Sequence, residues 1–282
     1  MANDADKFSH LPDDIIVLII SFLPFIDAYR LCLSRKDWRE KALWLYCTCL
    51  DLHEIHFLLP GTRQYWLSIG KRVQSMEMKR IGKIRYVDFL NKTVTNLASP
   101  SLSKFSFRFY YSSDRYHENI DKWIKVALSK GVKELSIDFS DGDPLEPQPM
   151  LLTPQYVLPN FLYQDGMCLK VLNISSCGLG YCNFQGFIRL RTLTLTRVRL
   201  FWGEIEHMVV SCPYLETMSL VECYRLIKVH ISFVFLRLKK FILRHCEPLT
   251  LGVELCFQDF NISSMQEEWC NSVSANYLIS MK

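Results

Sequence analysis

Between Leu11 and Pro24 the chain reads Leu-Pro-Asp-Asp-Ile-Ile-Val-Leu-Ile-Ile-Ser-Phe-Leu-Pro, with an unbroken apolar run from Ile15 to Ile20. Pro12 supplies a helix-ready φ, Asp13 and Asp14 suit the positive end of a helix dipole, and Pro24 stops the element. A short helix is predicted. At 3.6 residues per turn, an unbroken apolar run covers every side of a helix instead of one stripe. A second helix is predicted over about 27–33 and a third over about 36–45, carrying Trp38 and Trp44. Three helices this short cannot wrap an all-round apolar helix, so part of its surface is expected to stay open for a partner.

A different period takes over after about residue 100. Leu169-x-x-Leu172-x-Ile174-x-x-Cys177 returns as Leu190-x-x-Leu193-x-Leu195-x-x-Val198, Leu215-x-x-Met218-x-Leu220-x-x-Cys223 and Leu238-x-x-Phe241-x-Leu243-x-x-Cys246. The starts are 21, 25 and 23 residues apart, within the range of leucine-rich repeats. Leu102-x-x-Phe105-x-Phe107 and Val132-x-x-Leu135-x-Ile137 are irregular earlier copies. In each strand the fourth and sixth positions should point inward and the third, fifth and seventh outward. Burial of each inward Leu or Ile is worth roughly 1.5–3 kcal/mol, realised only when the next coil closes over it. Cys177, Cys223 and Cys246 take the inward turn that follows the strand.

Between the irregular copies, Ile120, Trp123, Ile124, Ala127 and Leu128 share one helical face, with Gly131 as a C-terminal stop. The expected organisation is a tail over 1–8, a three-helix module over 9–46, a connector over 47–99, repeats over 100–256 and a poorly ordered tail over 257–282. The stretch 141–159, with five prolines, reads as a loop interrupting the solenoid. The repeat pattern stops after about Leu255, so the last coil is expected without a proper cap. The fold class is α+β: a small helical module followed by a curved solenoid with a parallel sheet.

The residues Leu11-Pro12-Asp13-Asp14-Ile15-Ile16, Ile19 to Pro24, Asp27 to Arg30 and Trp38-Arg39 closely resemble an F-box, a three-helix motif that docks a Skp-type adaptor of cullin-based ubiquitin ligases. Trp123 to Phe139 and Ser211 to Glu216 resemble the leucine-rich portion of plant F-box proteins. The resemblance implies a substrate-recognition subunit that binds a Skp-type adaptor, and through it a cullin, while the repeats hold a protein target. It implies that Leu11, Pro12, Ile15, Ile16, Ile19 and Leu23 contact the adaptor or orient those contacts, and that Trp38 locks the third helix. Asp37 stands where the family usually has Lys or Arg, and Trp44 lies six residues beyond Trp38. These departures leave open a second reading, a non-degradative leucine-rich scaffold or decoy with weakened adaptor binding.

Charge and chemistry narrow the function classes. Thirty-three Lys and Arg against 29 Asp and Glu leave +4, scattered along the sequence, which argues against nucleic acid as a partner. The acidic start, and an apolar run too short to span a bilayer, point away from secretion and membrane, toward cytoplasm or nucleus. The 11 cysteines are then expected to be reduced and mostly hydrophobic in role. Cys47-x-Cys49 with His53 and His56 lacks structural-zinc spacing, and no metal or cofactor is expected. Gly178-x-Gly180 lacks the third Gly of a dinucleotide fingerprint, no Gly-x-Ser-x-Gly elbow is present, and His53-Glu54-Ile55-His56 is too short for the zinc-protease motif. No enzyme activity is expected.

The outward strand positions carry charge at both ends of the series and small hydroxyls in the middle. Target contacts are expected at Asn173, Thr192, Thr194, Thr196, Thr217, Ser219 and Arg244.

Overall fold

The computed structural model describes residues 11–53, 76–109, 114–140, 156–180, 184–201, 203–225, 229–232, 237–246, 253–256 and 279–281. The chain divides into two compact units, residues 1–107 and 108–282.

In the first unit, α1 (Asp13–Ser21) starts after Pro12 and α2 (Phe25–Ser34) after Pro24, so each proline sits where its missing N–H costs nothing. The predicted third helix is shorter than expected. α3 (Lys36–Glu40) ends, and Ala42 turns left-handed at φ 50° before a separate 3-10 turn, Leu43–Tyr46, that carries Trp44. Ile16, Ile20, Phe25, Ala28, Cys32, Trp38 and Leu43 form the core of these helices. Lys41 Nζ donates to both carboxylate oxygens of Asp13, at 2.7 and 2.6 Å, an exposed tie worth at most about 1 kcal/mol.

The stretch expected to be a connector contains β1 (Cys49–His53) and the 20-residue helix α4 (Met76–Thr95). Tyr86, Val87, Leu90, Thr93 and Val94 are among its buried residues, at helical spacing. Phe89 of α4 stands edge-on to Tyr29 (5.1 Å between centroids) and Phe25 (6.1 Å) of α2, and Tyr29 also meets Trp44 at 5.2 Å. Tyr86 Oη donates to the Leu52 carbonyl at 3.0 Å, tying α4 to β1. The F-box-like helices are therefore completed by α4, one side of α2 being closed by an element from outside the motif. β2 (Lys104–Arg108) lies beside β1, with Leu102, Phe105 and Phe107 buried as the repeat pattern predicts.

In the second unit, β3 (Glu134–Asp138), β4 (Val171–Ser175), β5 (Thr192–Thr196), β6 (Thr217–Val221) and β8 (Lys240–Arg244) form a parallel sheet in that order. The register is uniform: Leu135↔Leu172↔Leu193↔Met218↔Phe241 and Ile137↔Ile174↔Leu195↔Leu220↔Leu243. All ten of these side chains are buried. α5 (His117–Ser129) buries Ile120, Trp123, Ile124 and Ala127, and Gly131 at φ 64° ends it as expected. α6 (Asn160–Asp165) and α7 (Glu204–Ser211) follow. A Cβ at Gly186 would lie 2.6 Å from the Gln164 carbonyl oxygen, so α6 can approach the next coil only over a glycine.

Two features depart from the expected solenoid. β7 (Val229–Ser232), β9 (Val253–Cys256) and β10 (Ile279–Met281) form a second parallel sheet in the order β10-β9-β7. Thus the segment expected to be a poorly ordered tail contributes a strand, and the rest of it lies outside the described residues. Of the expected 141–159 loop, 141–155 also lies outside them, while Tyr156 and Leu158 are buried and Val157 bridges Gly178.

The turn that follows β4, β5, β6 and β8 is the other departure. Ser176, Arg197, Glu222 and His245 are all left-handed, with φ of 58, 53, 52 and 52°. This bend lets the next residue, Cys177, Val198, Cys223 or Cys246, drop back into the core. A non-glycine residue there costs about 1–2 kcal/mol. Ser176 combines the strain with a buried hydroxyl that has no hydrogen-bond partner among the described residues. Ser176→Gly is expected to raise stability by about 1 kcal/mol despite glycine's entropy cost, measured as an upward shift of the unfolding midpoint in urea.

Candidate functional site: two candidate docking faces

On α1 the residues that leave the core are Ile15, Leu18 and Phe22, exposed by 43, 52 and 79%. Their spacing of three and then four residues puts them on one helical face. Of the residues expected to meet a partner, Pro12 is exposed, and Leu11, Ile19 and Leu23 are half-buried beside that face. Ile16 takes the orienting part of the expected role. At 3% exposure it joins Ile20 in the core, one turn apart, and can only orient the helix. Trp38, also 3% exposed, anchors α3 from within, with the Arg35 guanidinium 4.6 Å above its ring. The exposed Leu18 and Phe22 were not among the expected contacts, and neither were Leu31 and Leu33 of α2. An all-apolar run gives no sign of which residues turn inward.

The second face is the outward side of the β3-to-β8 sheet, and the strand register sorts it into three rows. One reads Glu134, Val171, Thr192, Thr217, Lys240; the middle one Ser136, Asn173, Thr194, Ser219, Ile242; the last Asp138, Ser175, Thr196, Val221, Arg244. Thr192 therefore neighbours Thr217, and Asn173, Thr194 and Ser219 are consecutive. Arg244 stands two strands from Thr196, outside the hydroxyl cluster, so the expected target residues do not all gather at one point. The Asn173 amide donates to Ser136 Oγ at 2.9 Å, which preorganises one end of the middle row. The hydroxyls are half-buried, with strands about 4.8 Å apart. Such a face can hydrogen-bond and make contact along a polypeptide, but it holds no clustered titratable groups.

The cysteines serve the repeats. The Cys223 thiol donates to the Leu195 carbonyl at 3.4 Å and Cys246 to Leu220 at 3.6 Å, each reaching back to the preceding coil. Burial raises the Cys177 thiol, with the nearby Asp138 charge adding to it. The adjacent Cys246 thiol, together with burial, pushes Cys223 well above the ordinary range. Burial lifts Cys32 from 9.0 to about 11, and Cys47 and Cys212 to about 12. These thiols remain protonated and inert where a nucleophile must be a thiolate. Cys32, Cys47, Cys49, Cys168, Cys177, Cys212, Cys223 and Cys246 are free, and no group of three or more metal-ligating side chains occurs among the described residues. In the native chain, iodoacetamide at pH 8 is expected to label exposed Cys168 and to spare Cys177, Cys212 and Cys223, as peptide mapping can check. Because the folded pKa values are raised, the thiol contribution to stability is complete below about 9 and is lost as pH climbs through 11–12.

Comparison with known proteins places both faces in context. Residues 8–47 match the family model for the F-box domain, and residues 94–274 match the model described as At1g61320/AtMIF1, LRR domain. The chain is similar to three proteins of Arabidopsis thaliana. F-box/LRR-repeat protein At3g58930 is 26% identical over 76% of this chain and 41% of its own length. FBD-associated F-box protein At4g10400 is 28% identical over 75% and 44%, and F-box protein At4g27050 is 28% identical over 77% and 45%. The chain thus spans less than half the length of these relatives. No solved structure matches it. With an F-box at one end and a matched repeat domain over most of the remainder, the chain belongs to the F-box/leucine-rich-repeat family.

Proposed function

We propose that this chain is a substrate-recognition subunit of a Skp–cullin–F-box ubiquitin ligase, acting in the cytoplasm or nucleus. The observation that carries the reading is the exposed Ile15, Leu18 and Phe22 stripe on a helix whose opposite side, Ile16 and Ile20, is fixed in the core. A hydrophobic face held rigid before binding loses little entropy on docking, as an adaptor-binding helix requires. The first unit holds the adaptor, and the sheet face of the second holds a segment of the target. The chain itself needs no catalytic group. Acceleration comes from holding the target close to the ubiquitin-conjugating enzyme, where effective concentration and orientation do the work.

The test is co-purification of the full chain with a recombinant Skp-type adaptor and a cullin. A stable ternary complex supports the proposal. A folded chain that captures no adaptor overturns it in favour of a scaffold or decoy.

A further inference from the structure

We propose that the turns leading into β4, β5 and β6 form a second protein-docking strip, which takes an acidic, apolar polypeptide segment. The strip lies at the edge of the sheet where the strands begin, apart from the outward strand face, and does not depend on the ligase reading. Met167, Ile188 and Tyr214 precede their strands by four, four and three residues, so the in-register sheet sets them side by side on consecutive coils. They are exposed by 55, 45 and 45%, and Val210, at the end of the helix entering the same turn, by 73%.

Beside this apolar row runs a basic one. Backbone hydrogen bonds from Lys170 N to Lys133 O and from Arg191 N to Lys170 O carry the ladder one residue beyond the strands, aligning exposed Lys133, Lys170 and Arg191. Arg189 and Arg237 are exposed next to them, and Arg237 lies 4.7 Å above the Tyr214 ring. The acid within the row is Glu216, occupied by Arg191 at 3.1 Å and Lys239 at 2.9 Å. An overall charge of only +4 makes this local excess of cations distinctive.

The chemistry selects a polypeptide. Apolar side chains spaced one coil apart, with cations alongside, complement a segment that alternates carboxylates with Leu or Phe. A bilayer needs side chains that reach roughly 5–10 Å into it, whereas Met167, Ile188 and Tyr214 are half sunk in the surface. Nucleic acid offers phosphates to the cations but no aliphatic side chains to cover Met167, Ile188 and Val210.

The experiment is fluorescence anisotropy of the full chain with a short labelled peptide alternating Asp or Glu with Leu and Phe. Saturable binding is expected, weakened about tenfold or more by Lys170→Glu/Arg189→Glu and unchanged by Lys36→Glu, an exposed charge reversal in the first unit. No saturable binding overturns the proposal. So does equal affinity for a peptide with Ser in place of Leu and Phe, or indifference to the charge reversals. Phosphatidylserine vesicles that bind through the same basic residues, with the peptide failing to compete, would also overturn it, assigning the strip to a membrane.

Discussion

The chain carrying Ile15→Glu and Leu18→Glu is expected to lose capture of a Skp-type adaptor by about 100-fold or more while keeping its fold. Both side chains already stand largely in solvent, so charging them adds little cost to the folded chain. In a docked complex the same carboxylates would be desolvated against an apolar partner. Truncation of central apolar anchors alone costs about 2 kcal/mol or more each. Biolayer interferometry against the immobilised adaptor reads the affinity, and circular dichroism checks the fold. Ile16→Asp, one residue away, behaves differently. It buries a charge in the core of the first unit and should abolish binding together with helicity. If the Ile15/Leu18 variant binds as tightly as the parent, the exposed stripe is not the docking face.

The second large effect concerns stability. Trp123 is fully buried on α5, with Phe109 edge-on at 6.3 Å. Trp123→Ala removes the largest fully buried side chain among the described residues of the second unit and is expected to cost about 3–5 kcal/mol. Against a total of 5–15 kcal/mol for a typical domain, that is a large fraction. Solenoid coils are coupled mainly to their neighbours, so the loss should be local first. Hydrogen exchange should show β3 and α5 opening well before β6. Uniform loss of protection across β3 to β8 would mean that the sheet melts as one cooperative block.

Which parts of this molecule could be read from the chain depends on what each residue's neighbours reveal. Leu172 and Ile174 announced themselves, because alternation within a strand and recurrence between coils give two independent periods, and the register of β4, β5, β6 and β8 followed from them. The inward turn of Cys223 and Cys246 followed from the same recurrence. Ile15 and Ile16 could not be separated, since in an all-apolar run the period that distinguishes core from surface disappears. The choice is made by Phe25, Ala28 and Leu43, which arrive from other elements. α4 was hidden for the opposite reason: Lys83 and Thr93 interrupt its apolar face, and Phe89 matters through Tyr29 and Phe25, far away in sequence. The left-handed turns were invisible because Ser176, Arg197, Glu222 and His245 are not the glycine or asparagine that usually mark them.

The three rows on the sheet's outward side also differ from one end to the other. β3 brings Glu134 and Asp138, the latter ion-paired with Arg108, whereas β8 brings Lys240 and Arg244, with uncharged side chains between. Such a face has a built-in polarity. A segment laid across the strands with its cations toward β3 and its anions toward β8 is attracted at both ends, and the same segment reversed is repelled at both. Recognition here would discriminate the direction in which a bound chain runs as well as its composition, so a peptide and its reversed sequence should not be equivalent ligands.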